Sequence, residues 1–322
     1  MLLICMSHSP LMVAGVQPTD AEKHEGFYSS IADCAKMLAD YRPELVVLFG
    51  PDHFHWLFYD LMPAFCIGFE AESNRDWHLP AARLNVPSQL GLACARHVQR
   101  AGVDVSISYR MRVDHGMTIP LLKLTGSLER YPVLPVMINC IADPRPSLKR
   151  VRALAEAVGA FLGTLDTTRV AVIGSGGLSH DPPAPRMATA PIEVKNQLID
   201  RHTYTKEEYE LYQQGVIEAC RLLAQGESPI LPPDAAWDKK FIALLLQQKL
   251  EAFDDWGDDD IEREGGFGGH EIRCWLAAFA AMKGAGTFTA AERFHAVIPE
   301  WGTGMAVVAG MHHPDAPAAA RA

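Results

Sequence analysis

The chain has 322 residues, enough for one large α/β unit or two smaller ones and ample for a buried core. Its 48% hydrophobic and 21% charged content is ordinary for a globular protein, which excludes disordered and fibrous classes. A formal net charge of −10 gives no general field for a phosphate backbone or an anionic membrane surface, and no local basic patch offsets it, so neither nucleic acid nor membrane is expected as a partner.

Residues 2–6 form an apolar, β-rich run that stops at Ser7-His8-Ser9-Pro10, too short and without the basic start of a secretion signal. Residues 20–40 have the polar face of a surface helix, and 44–50 (Glu-Leu-Val-Val-Leu-Phe-Gly) read as a buried strand ending at Pro51-Asp52-His53-Phe54-His55. The alternation continues with a strand over 65–69, a helix over 88–100, a strand over 103–109, a short helix over 119–128, a strand over 133–139, a helix over 146–165 and a strand over 169–174. These strands are continuously apolar, as in a sheet covered on both faces. The expected fold is therefore layered α/β, a mixed central sheet flanked by helices.

After residue 190 the pattern changes. Residues 192–225 and 234–253 are long helical stretches with no strand between them, so the C-terminal portion is expected to be mostly helical. The acidic segment 254–260 lacks the ligand spacing of a calcium loop and reads as a solvated loop. Gly265-Gly266-Phe267-Gly268-Gly269 breaks the chain before a helix near His270, and 311–322 reads as a flexible tail after one domain over 1–310. The longest later apolar run, 274–282, is about half of a membrane span. Seven well-separated cysteines, with no CxxC pair, describe neither a disulfide framework nor a zinc site, and a reducing, cytoplasmic setting is expected.

Histidine is the informative residue type, because His8, His53, His55, His115 and His180 all fall at element ends or in turns, where a rigid scaffold presents functional groups. His8 and His53 follow two strands that would be parallel neighbours, which suits a metal pair as well as ordinary hydrogen bonding to loop carbonyls. His53 and His55 would share a face in an extended segment, so spacing does not choose between them. Asp114 before His115 is a helix cap or an orienting partner of the imidazole. Glu271 is a first-turn carboxylate that suits the helix dipole or a metal. The glycine run Gly174-Ser175-Gly176-Gly177 has no Gly-Lys-Ser/Thr and leads into Asp181-Pro182-Pro183 rather than a helix, so it is not a nucleotide loop. Its glycines would let backbone come close to a ligand. Cys274 stands where a second histidine would complete a His-Glu-x-x-His zinc motif, and no Gly-x-Ser-x-Gly elbow is present.

Taken in order, Ser7-His8-Ser9-Pro10, Pro51-Asp52-His53, Val113-Asp114-His115-Gly116, Gly174 to His180 and His270-Glu271 resemble the class III extradiol ring-cleaving dioxygenases, which include protocatechuate 4,5-dioxygenase. The likeness runs from His8 to Pro299-Glu300-Trp301. Pro43 to Phe49, Val133-Leu134-Pro135-Val136 and Ile298-Pro299-Glu300-Trp301 place it nearest the single-chain branch that cleaves 3-(2,3-dihydroxyphenyl)propionate.

The resemblance implies a non-haem Fe(II) held by His8, His53 and Glu271, with open positions for a catechol and O₂. It implies His115 and His180 as the acid and base of ring opening, in an order left open, with His55, Asp114 and Gly177 set behind them. The implied substrate is 3-(2,3-dihydroxyphenyl)propionate, with 2,3-dihydroxycinnamate, another catechol or an aminophenol as alternatives, and the implied assembly is a homo-oligomer. An anionic side chain would need a cationic partner, for which Arg110, Arg112, Arg186 and Arg273 lie near the motifs. Two other readings remain at this point: a zinc-dependent hydrolase using the same residues, and a non-catalytic binding scaffold.

Overall fold

The computed structural model describes residues 1–165, 168–228 and 230–313. The first half alternates strand and helix: β1 (Leu2–Met6), α1 (Ala21–Tyr41), β2 (Leu45–Gly50), β3 (Phe65–Gly68), β4 (Ala71–Ser73), α2 (Ser88–Arg100), β5 (Ser106–Ser108), β6 (Met111–Val113), α3 (His115–Thr125), β7 (Val133–Ile138), α4 (Leu148–Leu162) and β8 (Val170–Ser175). The second half is α5 (Ile192–Ile199), α6 (Lys206–Gln225), α7 (Ala235–Leu246), α8 (Asp258–Gly265), α9 (Ile272–Ala285), β9 (Phe288–Ile298) and β10 (Thr303–His312).

Eight strands form one mixed sheet in the order β5-β3-β7-β2-β8-β1-β10-β9, and β4 and β6 pair in parallel as a separate ribbon. Every residue of β1, β2, β7 and β8 is buried, as their unbroken apolar runs require of strands covered on both faces. Helix α9 is the covering element on one side: it is buried from Ile272 to Met282, apolar on every face but for Arg273, and packs on α4. The two helices approach closely because Gly159 has no side chain; a Cβ there would lie 2.0 Å from the carbonyl oxygen of Ala281.

The layered α/β class and the largely helical region after residue 190 are as expected, while several boundaries and pairings differ. β1 and β2 are not direct neighbours; β8 lies between them, parallel to both. The stretch 192–225 is two helices, α5 and α6, the second started by a Thr205–Glu208 capping box. The acidic segment is not all loop: Asp258, Asp259 and Asp260 form the first turn of α8, where carboxylates oppose the positive end of the helix dipole. Two long strands, β9 and β10, end the described chain. Met311 and His312, expected in the tail, are the last residues of β10, and the rest of that tail, 314–322, lies outside the described residues. No described helix is long and apolar enough to cross a membrane.

Candidate active site

Because β2, β8 and β1 run parallel and side by side, the segments leaving their C-terminal ends meet on one edge of the sheet. They carry His8, His53 and His180. Helix α3 brings His115 to the same place: Asp114 caps it by accepting from the Gly116 N–H at 2.9 Å. Glu271 arrives on a short 3₁₀ turn (Phe267–Glu271) that leads into α9.

The hydrogen bonds fix which nitrogen of His8 faces inward. The hydroxyl of Ser175 donates to the carbonyl of Gly116, so at 2.9 Å it accepts from Nδ1–H of His8 and leaves Nε2 bare. That Nε2 is 3.6 Å from Oε2 of Glu271. His53 gives Nδ1–H and its backbone N–H to Oδ2 of Asp114, at 2.9 and 2.7 Å, and turns Nε2 to Oε1 of Glu271 at 3.0 Å. Oε2 of Glu271 is held by the N–H of Gly177 at 2.7 Å.

Two donors that are each about 2.1 Å from a shared divalent ion, at ligand angles of roughly 90–120°, lie about 3.0–3.6 Å apart. Nε2 of His8 and Nε2 of His53 face the two oxygens of Glu271 at 3.6 and 3.0 Å, spacings within that range. The nitrogens of His8, His53 and His115 also lie within 4.8 Å of one another, and His55, Asp76, Asp114 and His115 form a second such group behind them.

Electrostatics follow from this crowding. Burial pushes His8 down to about 3, whereas for His53 the charges of Asp114 and Glu271 outweigh burial and hold the imidazole well above its ordinary value. Burial works against the charge on Glu271, yet the imidazoles of His8, His180 and His53 hold its carboxyl well below the usual range. Burial and the neighbouring His53 lower His115, whereas for His180 the charge of Glu271 outweighs burial and raises it. The two histidines beside the triad are thus tuned in opposite directions.

His115 stacks on His53 with ring centroids 4.1 Å apart, and its backbone N–H and Nδ1–H both go to Oδ2 of Asp76, at 3.0 and 2.5 Å. His180 gives Nδ1–H to the carbonyl of Leu178 at 2.8 Å and turns Nε2 to within 3.4 Å of Oε1 of Glu271. Asp114 both caps α3 and orients a ring, and that ring belongs to His53 rather than His115. Phe54 at φ 55° turns the chain between His53 and His55, and both residues line the cavity. Nδ1 of His55 lies 3.3 Å from Oδ2 of Asp114, and its ring meets that of His115 edge-on with centroids 5.6 Å apart.

Gly177 and Gly176 leave room for the protein's own groups. A Cβ on Gly177 would stand 2.8 Å from Cε1 of His180, and one on Gly176 would stand 2.7 Å from the carbonyl of Glu271. Gly268 is tighter still, its Cβ position only 2.0 Å from Nε2 of His180. Sequence reading missed Gly268 as a site residue, and it missed Asp76 and Trp77, which no local pattern marks.

These groups form the floor of a cavity of about 310 Å³ with walls of Phe54, Phe58, Trp77, Pro183 and Phe267. None of the arginines near the motifs lines it. Arg273 is buried against Asp258 and His270, Arg186 lies over the ring of Phe267 and pairs with Asp181, and Arg110 and Arg112 are exposed.

A sequence profile for the catalytic LigB subunit of aromatic ring-opening dioxygenase matches residues 2–306, nearly the whole chain. The chain belongs to this family. Among curated relatives it is 43% identical over 306 residues to a 2,3-dihydroxyphenylpropionate/2,3-dihydroxicinnamic acid 1,2-dioxygenase of Photorhabdus laumondii, covering 95% of this chain and 96% of that one. It is 41% identical over 305 residues to a protein of the same name from Mycolicibacterium paratuberculosis, covering 95% and 97%. A solved structure of an uncharacterised Escherichia coli K12 protein, JW3007, superposes with a TM-score of 0.51 at 14% identity, over 97% of this chain and 100% of that one, a likeness of fold alone. The protein is an extradiol catechol dioxygenase of aromatic catabolism, so the hydrolase and scaffold readings fall away. The family uses a non-haem metal, and the histidine and carboxylate cluster is consistent with one.

Proposed function

We propose that this LigB-family enzyme cleaves the ring of 3-(2,3-dihydroxyphenyl)propionate, and of 2,3-dihydroxycinnamate, beside the two hydroxyl-bearing carbons. In this reading Fe(II) is held by His8, His53 and Glu271, and His115 and His180 transfer protons. The supporting observation is the meeting of two inward-turned imidazole nitrogens and one carboxylate on the cavity floor, with two further histidines beside them. The substrate follows the names of the relatives at 41–43% identity.

When bound, Fe(II) supplies open coordination positions at which catechol and O₂ meet, and a path for electrons between them. The protein supplies the proton movements. Ring opening needs one proton taken from the catechol and one delivered to an oxygen. Nδ1 of His115 is occupied by Asp76 and Nδ1 of His180 by Leu178, so each exchanges protons through Nε2. The apolar walls keep water from the reacting ring. Residues 1–310 act as one catalytic unit, in a cytoplasmic homo-oligomer. The compartment is supported by seven cysteines that are all free and buried, and the assembly by Leu61, Ile192 and Leu211 standing exposed.

The test is ferrous reconstitution under nitrogen followed by O₂ and a panel of catechols and an aminophenol. Yellow ring-opened product, with the propionate compound preferred, is expected. Preference for a different ring would move the substrate, and zinc-supported turnover without O₂ uptake would contradict the metal.

A further inference from the structure

One wall of the cavity carries a polar atom that nothing in the fold uses. Trp77 is 3% exposed and lines the cavity, yet its indole Nε1–H is buried without a hydrogen-bond partner. Buried donors left unpaired are rare in native proteins. Nε2 of His202, between α5 and α6 in the same lining, faces Oε2 of Glu208 at 3.5 Å.

The backbone beneath Trp77 is strained to put it there. Arg75, Trp77 and His78 have φ of 66°, 51° and 59°, in the left-handed region that bulky residues avoid. Two bonds hold the turn: Asp76 accepts from His115, and the Trp77 N–H donates to the hydroxyl of Tyr209 at 2.9 Å. One short turn therefore fixes the partner of His115 and sets Trp77 in the cavity wall. The ring's neighbour on the far side is Tyr212 of α6, with centroids 6.3 Å apart, so Trp77 stands between the histidine cluster and the helices that close the cavity. No lysine or arginine is among the described lining residues.

We infer that Trp77 is the specificity residue for the ring's side chain, its indole N–H donating to a carboxylate oxygen at the end of that substituent. This rests on the catechol-cleaving reading above. With no lysine or arginine in the described wall, an anionic substituent is received by the neutral indole N–H of Trp77. Such a bond to a charged acceptor is stronger than one to a neutral group, and an alkyl side chain leaves the N–H unpaired.

The test compares 3-(2,3-dihydroxyphenyl)propionate with 3-propylcatechol, which has the same length and no acceptor, in the ferrous wild type and in Trp77→Phe, which keeps an aromatic ring and loses the N–H. The ratio of kcat/KM for acid over propyl is expected to fall about tenfold in the variant. Dissociation constants read under nitrogen from tryptophan fluorescence should show the same loss for the acid relative to the propyl compound. A ratio that stays within twofold of wild type, or equal weakening of both compounds, overturns the inference. Wild type that turns over both compounds equally well also overturns it while leaving ring cleavage intact. Wild type that turns over no catechol overturns the reading beneath it.

Discussion

One carboxylate oxygen of Asp76 receives both N–H groups that His115 offers on its near side. It fixes the ring's tilt and leaves Nε2 as the only nitrogen that can exchange a proton with substrate. Asp76→Asn offers one amide oxygen in its place and lets the ring turn. A fall in kcat of about 10–100-fold is expected, with iron content unchanged by metal analysis. Gly268→Ala drives a methyl into Nε2 of His180 and is expected to abolish turnover while the circular dichroism spectrum stays native. The main site histidines and Glu271 were legible because each stands in a short motif at the end of an element. Asp76 and Trp77 were not, since they reach the site through a contact 39 residues away in sequence and a backbone conformation that composition does not encode.

At the scale of elements, the loops are clamped from behind. Trp275 of α9 donates to the carbonyl of Gly176 at 2.9 Å, and the buried Asp238 of α7 accepts from the Ser179 N–H at 2.8 Å and from His295 of β9 at 3.1 Å. α8 and α9 are tied by Asp258, which accepts from the fully buried Arg273 at 2.5 Å. Asp258→Asn leaves that guanidinium short of its counter-charge and is expected to cost about 1.5–3 kcal/mol in denaturant unfolding. Burial raises Asp258, but Arg273, His270 and Arg145 outweigh it and hold the carboxyl below its ordinary 3.8. A lowered folded-state value means this stabilisation is complete above about pH 4 and is lost as pH falls through 3.8 toward the lowered value. The acid-unfolding curve of Asp258→Asn should therefore be flatter than wild type below pH 4. Strand β9 shows where sequence patterns fail: its Thr-Ala-Ala-Glu-Arg-Phe has helix-forming residues and a half-exposed face, and only pairing with β10 makes it a strand.

For the whole molecule, the strand order decides what the site is. With β8 between β1 and β2, its glycine loop enters between the two histidine-bearing segments and delivers Gly177 to Glu271 and His180 to the cavity. Run lengths predicted these strands but not their order, because order is set by crossovers that leave no local trace. The residues that meet on the cavity floor thus come from opposite ends of the chain, from His8 to Glu271. The most direct test is iron content and turnover measured together in Glu271→Ala and His115→Ala after ferrous loading under nitrogen. The expected result is iron lost in Glu271→Ala, and iron retained in His115→Ala with turnover reduced about 10²–10⁴-fold. Full iron in Glu271→Ala, or wild-type turnover in His115→Ala, would contradict the division into metal-holding and proton-moving residues.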